Sequence, residues 1–208
     1  MDKLFDLYLN ELVEWNKKFN LTAITEPEAI KEKHFADSLL LLEHLPLTNE
    51  SVVDVGAGAG FPGIPLKIAR PGLKLTLLEA TKKKVGFLDH LIKTLGLAGA
   101  EAVWARAEDY AGTHRESFDL AVARAVADLR VLAELCLPLV KVGGAFAAWK
   151  EVAIEPEVES AQKAVALLGG EISAVIKHPR RSLLIIKKVR PTPPQYPRRP
   201  GVAKKQPL

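Results

Sequence analysis

The sequence predicts a doubly wound, Rossmann-like α/β fold, and three observations carry that prediction. From Ser51 onward, short β-branched or apolar runs alternate with stretches of helical periodicity, the pattern of a parallel sheet covered by helices. The first of these runs, Ser51-Val52-Val53-Asp54-Val55, leads into a glycine-dense turn that opens a helix. The last two runs, residues 171–177 and 182–189, flank the turn-like His178-Pro179-Arg180-Arg181 and read as an antiparallel hairpin closing the sheet edge.

Taken in order, Leu4, Leu7, Tyr8, Leu12, Trp15 and Phe19 recur three and four apart, which predicts an amphipathic helix ending near Asn20. Thr25 with Glu28 resembles a capping box, with Pro27 in the first turn, so a second helix is expected through His34 toward Leu42. These helices form an N-terminal cap over residues 1–45. Residues 46–190 are the α/β domain. Its expected elements are LKLTLLE, a helix from Thr81 to Leu95, AEAVWA, the strand FDLAVARA ending at Arg124 and Ala125, a helix from Asp128 to Val140, AFAAWK, and a helix around Pro156 to Leu168. Residues 191–208 hold six prolines and no hydrophobic period, and are expected to be an extended, irregular tail.

At 208 residues, 48% hydrophobic and 26% charged, the chain has enough material for one sizeable core. No apolar run approaches the roughly 18 residues of a membrane helix, and no leader pattern opens the chain, so a soluble, cytoplasmic protein is expected; a monomer is expected as well. The single cysteine, Cys136, lies in an apolar run and reads as a buried filler. Charge is asymmetric. No Asp or Glu follows Glu171, whereas ten Lys and Arg do, leaving residues 1–171 with 19 basic against 25 acidic side chains. An acidic body with a basic end fits docking of a polyanion, and Arg198 and Arg199 are contact candidates there. The run Lys82-Lys83-Lys84 reads as a solvated helical face.

The segment Asp54 to Gly63 carries the cofactor signature. An apolar strand delivers Asp54, and Gly56, Gly58, Gly60 and Gly63 let backbone approach a ligand closely. Gly58, Gly60 and Gly63 also fit a dinucleotide fingerprint, with Glu79 about 20 residues on in the ribose position. Asp54 before the glycines, and Phe61-Pro62 where a pyrophosphate would sit, favour S-adenosylmethionine instead, bound without a metal. Glu79 is expected to accept from the ribose hydroxyls, and Arg106-Ala107-Glu108, after AEAVWA, to bracket the adenine.

Methyl transfer from a sulfonium demands alignment more than proton removal. The residues Val122-Ala123-Arg124-Ala125 lack the Asn/Asp-Pro-Pro-aromatic pattern of exocyclic-amine methylation, and Cys136 is mid-helix, where a C5-attacking nucleophile would not sit. A ring nitrogen with a free lone pair, such as guanine N7, fits best among base targets. Arg124, at a strand's C-terminal end, is expected to face substrate or cofactor as the catalytic positioning group. Lys150 has the same kind of address. His34 and Asp37, three apart, read as a structural pair holding the cap to the core.

WNKKFNLTAI at 15–24, HFADSL at 34–39, DVGAGAGFPGIPL at 54–66, the ARA motif at Arg124 and YPRRPG at 196–201 together resemble the glucose-inhibited division protein B family, the small-subunit (16S) ribosomal RNA guanine-N7 methyltransferases. The resemblance covers nearly the whole chain. It implies a class I methyltransferase sheet, S-adenosylmethionine as cofactor, and ribosomal RNA or a ribosomal particle as partner. It further implies cofactor contacts at Gly56, Phe61, Glu79, Ala80, Ala107, Glu108 and Arg124, and RNA or target-base roles for His34, Arg106, Arg124, Lys150 and Arg181. Methylation of another RNA, a small molecule or a protein is the alternative that keeps the glycine site. One departure from the family is the N-terminus, where only 14 residues precede Trp15.

Overall fold

The computed structural model describes residues 2–124 and 127–208; Ala125, assigned to a strand end by the sequence reading, lies outside them. The chain forms two compact units, residues 1–104 and 105–208.

The first unit opens with α1 (Asp2–Asn16), whose Tyr8 and Leu12 are fully buried, as the three- and four-residue spacing requires. Asn16 stops it. Its Oδ1 accepts from the N–H groups of Leu21 (2.7 Å) and Thr22 (3.0 Å), and its Nδ2 donates to the Thr22 carbonyl, so the chain reverses four residues earlier than the periodicity predicts. Trp15 packs at 5.4 Å from Phe87 and 4.9 Å from His90, and His90 meets Glu11 at 2.7 Å.

The second predicted helix is corrected by the structure. It runs as α2 (Pro27–Ile30), a π-helical turn (Lys31–Ala36), α3 (Asp37–Leu39) and a 3-10 turn (Leu40–Glu43). The capping box does not form. Glu26 occupies the N-cap without a side-chain bond, and Glu28 pairs with Lys31 at 2.9 Å. The wide π turn seats His34 against Phe61, at 4.5 Å between ring centroids.

Three parallel strands follow, β1 (Ser51–Val55), β2 (Lys74–Glu79) and β3 (Ala100–Trp104), joined by α4 (Gly63–Ala69) and α5 (Lys82–Leu95). In this unit β2 pairs with both β1 and β3. Helix α5 ends at Gly96 in the left-handed region, an αL C-cap.

The second unit holds α6 (Ala107–Tyr110), β4 (Phe118–Ala123), α7 (Leu129–Cys136), β5 (Val140–Lys150), α8 (Glu155–Leu167), β6 (Gly170–His178), β7 (Arg181–Lys188) and α9 (Val202–Lys205). Strands β4 and β5 are parallel, and the predicted hairpin β6–β7 joins β5 in antiparallel register. Helix α7 is shorter than predicted because Pro138 imposes a 3-10 turn over Leu137–Leu139 and β5 begins at once at Val140. Cys136 is fully buried.

Residues 191–208 depart most from the sequence reading. They pack as a strap rather than an irregular tail. The Arg115 guanidinium donates to the carbonyls of Thr192, Pro193 and Tyr196 (2.6–2.9 Å), and Glu116 accepts from the Thr192 N–H. Arg198 forms a bidentate pair with Glu134, which is fully buried; Arg198 Nη2 lies 2.5 Å from Glu134 Oε2. That carboxylate holds the guanidinium's pKa above its ordinary value. Breaking a buried pair of this kind costs roughly 3–5 kcal/mol, because the remaining charge stays desolvated, so Arg198 is a stability residue here. Lys188, fully buried with Glu116 at 3.1 Å, has its pKa lowered by burial.

Candidate cofactor site

In the first unit the C-terminal ends of β1 and β2 deliver the predicted residues. Strand β1 is almost wholly buried until it reaches Gly56, which is exposed, and β2 likewise ends at an exposed Ala80. Gly56 and Gly58 adopt φ +74° and +60°, and a Cβ at Gly56 would project into open space, meeting no atom within 4 Å. The turn therefore presents backbone, uncovered by side chains, where a ligand can approach it.

Two carboxylates hold this turn from below. Asp54, fully buried, accepts the Gly63 N–H through Oδ2 at 2.8 Å and so fixes the start of α4. At Gly63 the approach is so close that a Cβ would lie 2.8 Å from that oxygen. Asp54 is thus a shaping residue. Glu79, 7% exposed, accepts the Gly58 N–H through Oε2 (3.0 Å) and the Thr81 N–H through Oε1 (2.8 Å). Each carboxylate oxygen has a second lone pair, so the oriented group still suits the two adjacent hydroxyls of a ribose. An open glycine cradle beside an oriented buried acid fits a nucleoside cofactor.

Behind the turn stands an aromatic brace that sequence spacing did not reveal. The Tyr8 hydroxyl donates to the Ala59 carbonyl at 2.6 Å, and its ring stacks on Phe61 at 5.2 Å. Phe61, 5% exposed, is held between Tyr8 and His34, and His34 Nε2 lies 2.9 Å from the Thr22 hydroxyl. His34 and Phe61 therefore join the π-helical turn to the glycine turn. A buried tyrosine four residues from Leu12 reads only as core, and nothing local identifies its carbonyl partner fifty-one residues away.

In the second unit the register brings three predicted residues to one end of the sheet. Arg124 follows the last residue of β4, Ala123 pairs with Ala148 near the end of β5, Lys150 ends β5 opposite Ser182, and Arg181 precedes Ser182. Arg124 and Arg181 are half-buried. Lys150 is turned inward. Its side chain is 5% exposed, and Nζ lies 2.6 Å from Glu157 Oε1 and donates to the Ala127 carbonyl. Glu157 also accepts the Leu129 N–H at 2.6 Å, and Asp128 N-caps α7 with Arg130 beside it, which lowers the Asp128 pKa. Lys150 and Glu157 thus hold backbone just downstream of Arg124 rather than standing open to a polyanion.

Ala107 is buried at the start of α6, and Glu108 accepts the Gly201 N–H at 3.0 Å, anchoring the strap. Arg106 and Arg199 are exposed. The basic end is therefore divided, with Lys188 buried, Arg198 half-buried on Glu134, and Arg199, Lys204 and Lys205 on the surface.

The fold is shared with solved methyltransferases. A structure of a putative S-adenosyl-L-methionine-dependent methyltransferase from Methanococcus maripaludis superposes with a TM-score of 0.61 at 16% identity, covering 77% of this chain and 90% of that one. A SAM-dependent methyltransferase from Aquifex aeolicus gives 0.59 at 16% identity, covering 76% and 91%. These likenesses establish the doubly wound fold. At the level of sequence, the ribosomal RNA small subunit methyltransferase G of Halalkalibacterium halodurans is 50% identical over 98% of this chain and 90% of its own length. Its namesake from Pelotomaculum thermopropionicum is also 50% identical, over 98% and 89%. The family described as GidB, rRNA small subunit methyltransferase G, matches residues 1–184, and the chain belongs to that family.

Proposed function

We propose that this protein transfers a methyl group from S-adenosylmethionine to N7 of a guanine in 16S small-subunit ribosomal RNA, acting as a cytoplasmic monomer on the RNA or a ribosomal particle. The observation that carries the reading is the open Gly56–Gly58 cradle with Glu79 oriented beside it, in a chain of this family. S-adenosylmethionine supplies the electrophilic methyl group on its sulfonium.

The chain's own residues bind and align. Glu79 accepts the ribose hydroxyls, the backbone at Gly56 and Gly58 packs against the cofactor, and Ala80 lies beside the ribose end. Asp54 keeps the turn in shape through Gly63. Arg124 aligns the base or the donor by charge-assisted hydrogen bonds, with Lys150 and Glu157 fixing the backbone at Ala127 and Leu129. Guanine N7 carries its lone pair already, so no proton acceptor is required. Residues 1–45 act as the cap, 46–190 as the methyltransferase domain, and 191–208 as a strap whose exposed Arg199 remains available to RNA.

Calorimetric titration tests the cofactor. S-adenosylmethionine and its demethylated product are expected to bind without added metal and NAD is not; tight NAD binding with no S-adenosylmethionine binding would refute the reading.

A further inference from the structure

Sequence periodicity treats Lys82-Lys83-Lys84 as a solvated helical face and Trp104 as one more strand residue. The structure joins them. Strand β3 pairs only with β2 among the described residues of its unit, so it forms that sheet's free border. Trp104 closes it with 59% of its surface exposed, the most exposed large apolar side chain among the described residues. Large aromatic rings normally contribute area to a core, so one left in water at the end of a strand has no packing explanation.

The ring is nevertheless held in place. Its Nε1–H donates to the Ala80 carbonyl at 2.9 Å, and the Lys82 ammonium lies over it at 5.2 Å from the centroid. Lys83 is exposed on the first turn of α5, one residue beyond Lys82. Ala80, the indole's anchor, directly follows Glu79. An oriented indole loses little rotamer freedom when something stacks on it, and the neighbouring ammonium groups match a phosphodiester rather than an apolar protein surface.

We propose that Trp104 is a stacking platform for an unpaired base of the RNA substrate, with Lys82 and Lys83 taking the flanking phosphates. The inference rests on the reading of this chain as an enzyme acting on RNA. A π-face and two cations make the platform tolerant of sequence, because every base stacks and every nucleotide carries a phosphate. Its contribution is to hold a nucleotide flanking the target beside the cofactor's ribose end, not to choose the target base.

The test is fluorescence anisotropy of a labelled single-stranded oligoadenylate titrated with full-length protein, with S-adenosylmethionine titrated in parallel by calorimetry. Trp104→Ala is expected to raise the Kd for RNA about 5- to 100-fold, the range for loss of one base stack. Trp104→Phe is expected to recover most of that loss. A Lys82→Ala, Lys83→Ala double variant is expected to flatten the dependence of log K on log salt by about 0.7 for each phosphate it no longer neutralises, whereas Trp104→Ala leaves the slope unchanged. Affinity for S-adenosylmethionine is expected to hold in all three. Unchanged RNA affinity in Trp104→Ala overturns the proposal. So does a loss confined to S-adenosylmethionine, which would put the cofactor's adenine on the indole. A wild-type protein that binds no oligoadenylate, while still binding S-adenosylmethionine, would overturn the sequence-tolerant platform and leave the ribosomal RNA reading to the methylation assay.

Discussion

Gly58→Asp is expected to yield a folded protein that no longer binds S-adenosylmethionine. Gly58 sits at φ +60°, a conformation that aspartate tolerates better than most residues, and the atom nearest to an added Cβ is the Gly56 carbonyl oxygen at 3.8 Å. The protein has room for the side chain; the cofactor does not. The new carboxylate also stands close to Glu79, whose Oε2 is 3.0 Å from the Gly58 nitrogen, so the acid proposed to bind the ribose acquires a like-charged neighbour. A loss of about 100-fold or more in affinity is expected, with a melting temperature close to that of the parent. Gly63→Ala supplies the contrast. There the Cβ would meet Asp54 Oδ2 at 2.8 Å and Leu77 Cδ2 at 2.9 Å, so stability is expected to fall as well. Calorimetry and thermal melts separate the two, and a Gly58→Asp protein that binds cofactor normally would remove the glycine turn from the site.

Arg124→Ala is expected to lower single-turnover methylation roughly 10²- to 10³-fold, the loss typical of one aligned charged or hydrogen-bonding group at a reacting centre. The fold should persist, because Arg124 is half-buried at a strand end and not in the core. Arg124→Lys should recover little, since an ammonium lacks the planar two-pronged geometry. Full activity in the lysine variant would mark Arg124 as a tolerant surface ion pair. The rate should also stay nearly flat from about pH 6 to 9, because N7 has no proton to lose. An acidic limb that disappears in His34→Ala would make that histidine a base instead of the ring that packs on Phe61.

What was legible in the sequence follows from the range of the interactions involved. The alternation of apolar runs and helices, the hairpin around Pro179 and the turn from Asp54 to Gly63 are local patterns, and the structure reproduces them. The failures are non-local. The terminal strap looked irregular because it has no hydrophobic period, yet Glu134, Glu116, Glu108 and Arg115 bind it from positions more than sixty residues away. The family resemblance and a strand-end address give Lys150 an RNA or target-base role; its partners, Glu157 and the Ala127 carbonyl, are set by the packing of a following helix and a preceding loop. The broken second helix reflects the seating of His34 on Phe61, a tertiary demand that overrides local propensity. Trp104 reads only as one more residue of the strand AEAVWA, and its exposure on a free strand border is set by the pairing of that strand.

The most direct test of the central claim is incubation of the protein with isotopically labelled S-adenosylmethionine and either small-subunit ribosomal RNA or the small-subunit particle lacking its own modification, followed by digestion to nucleosides and chromatography. The label is expected to elute as 7-methylguanosine, arising from one site in the RNA. Label in a methylated pyrimidine or an exocyclic-amine product, or no transfer to either substrate by protein that binds the cofactor, would contradict it.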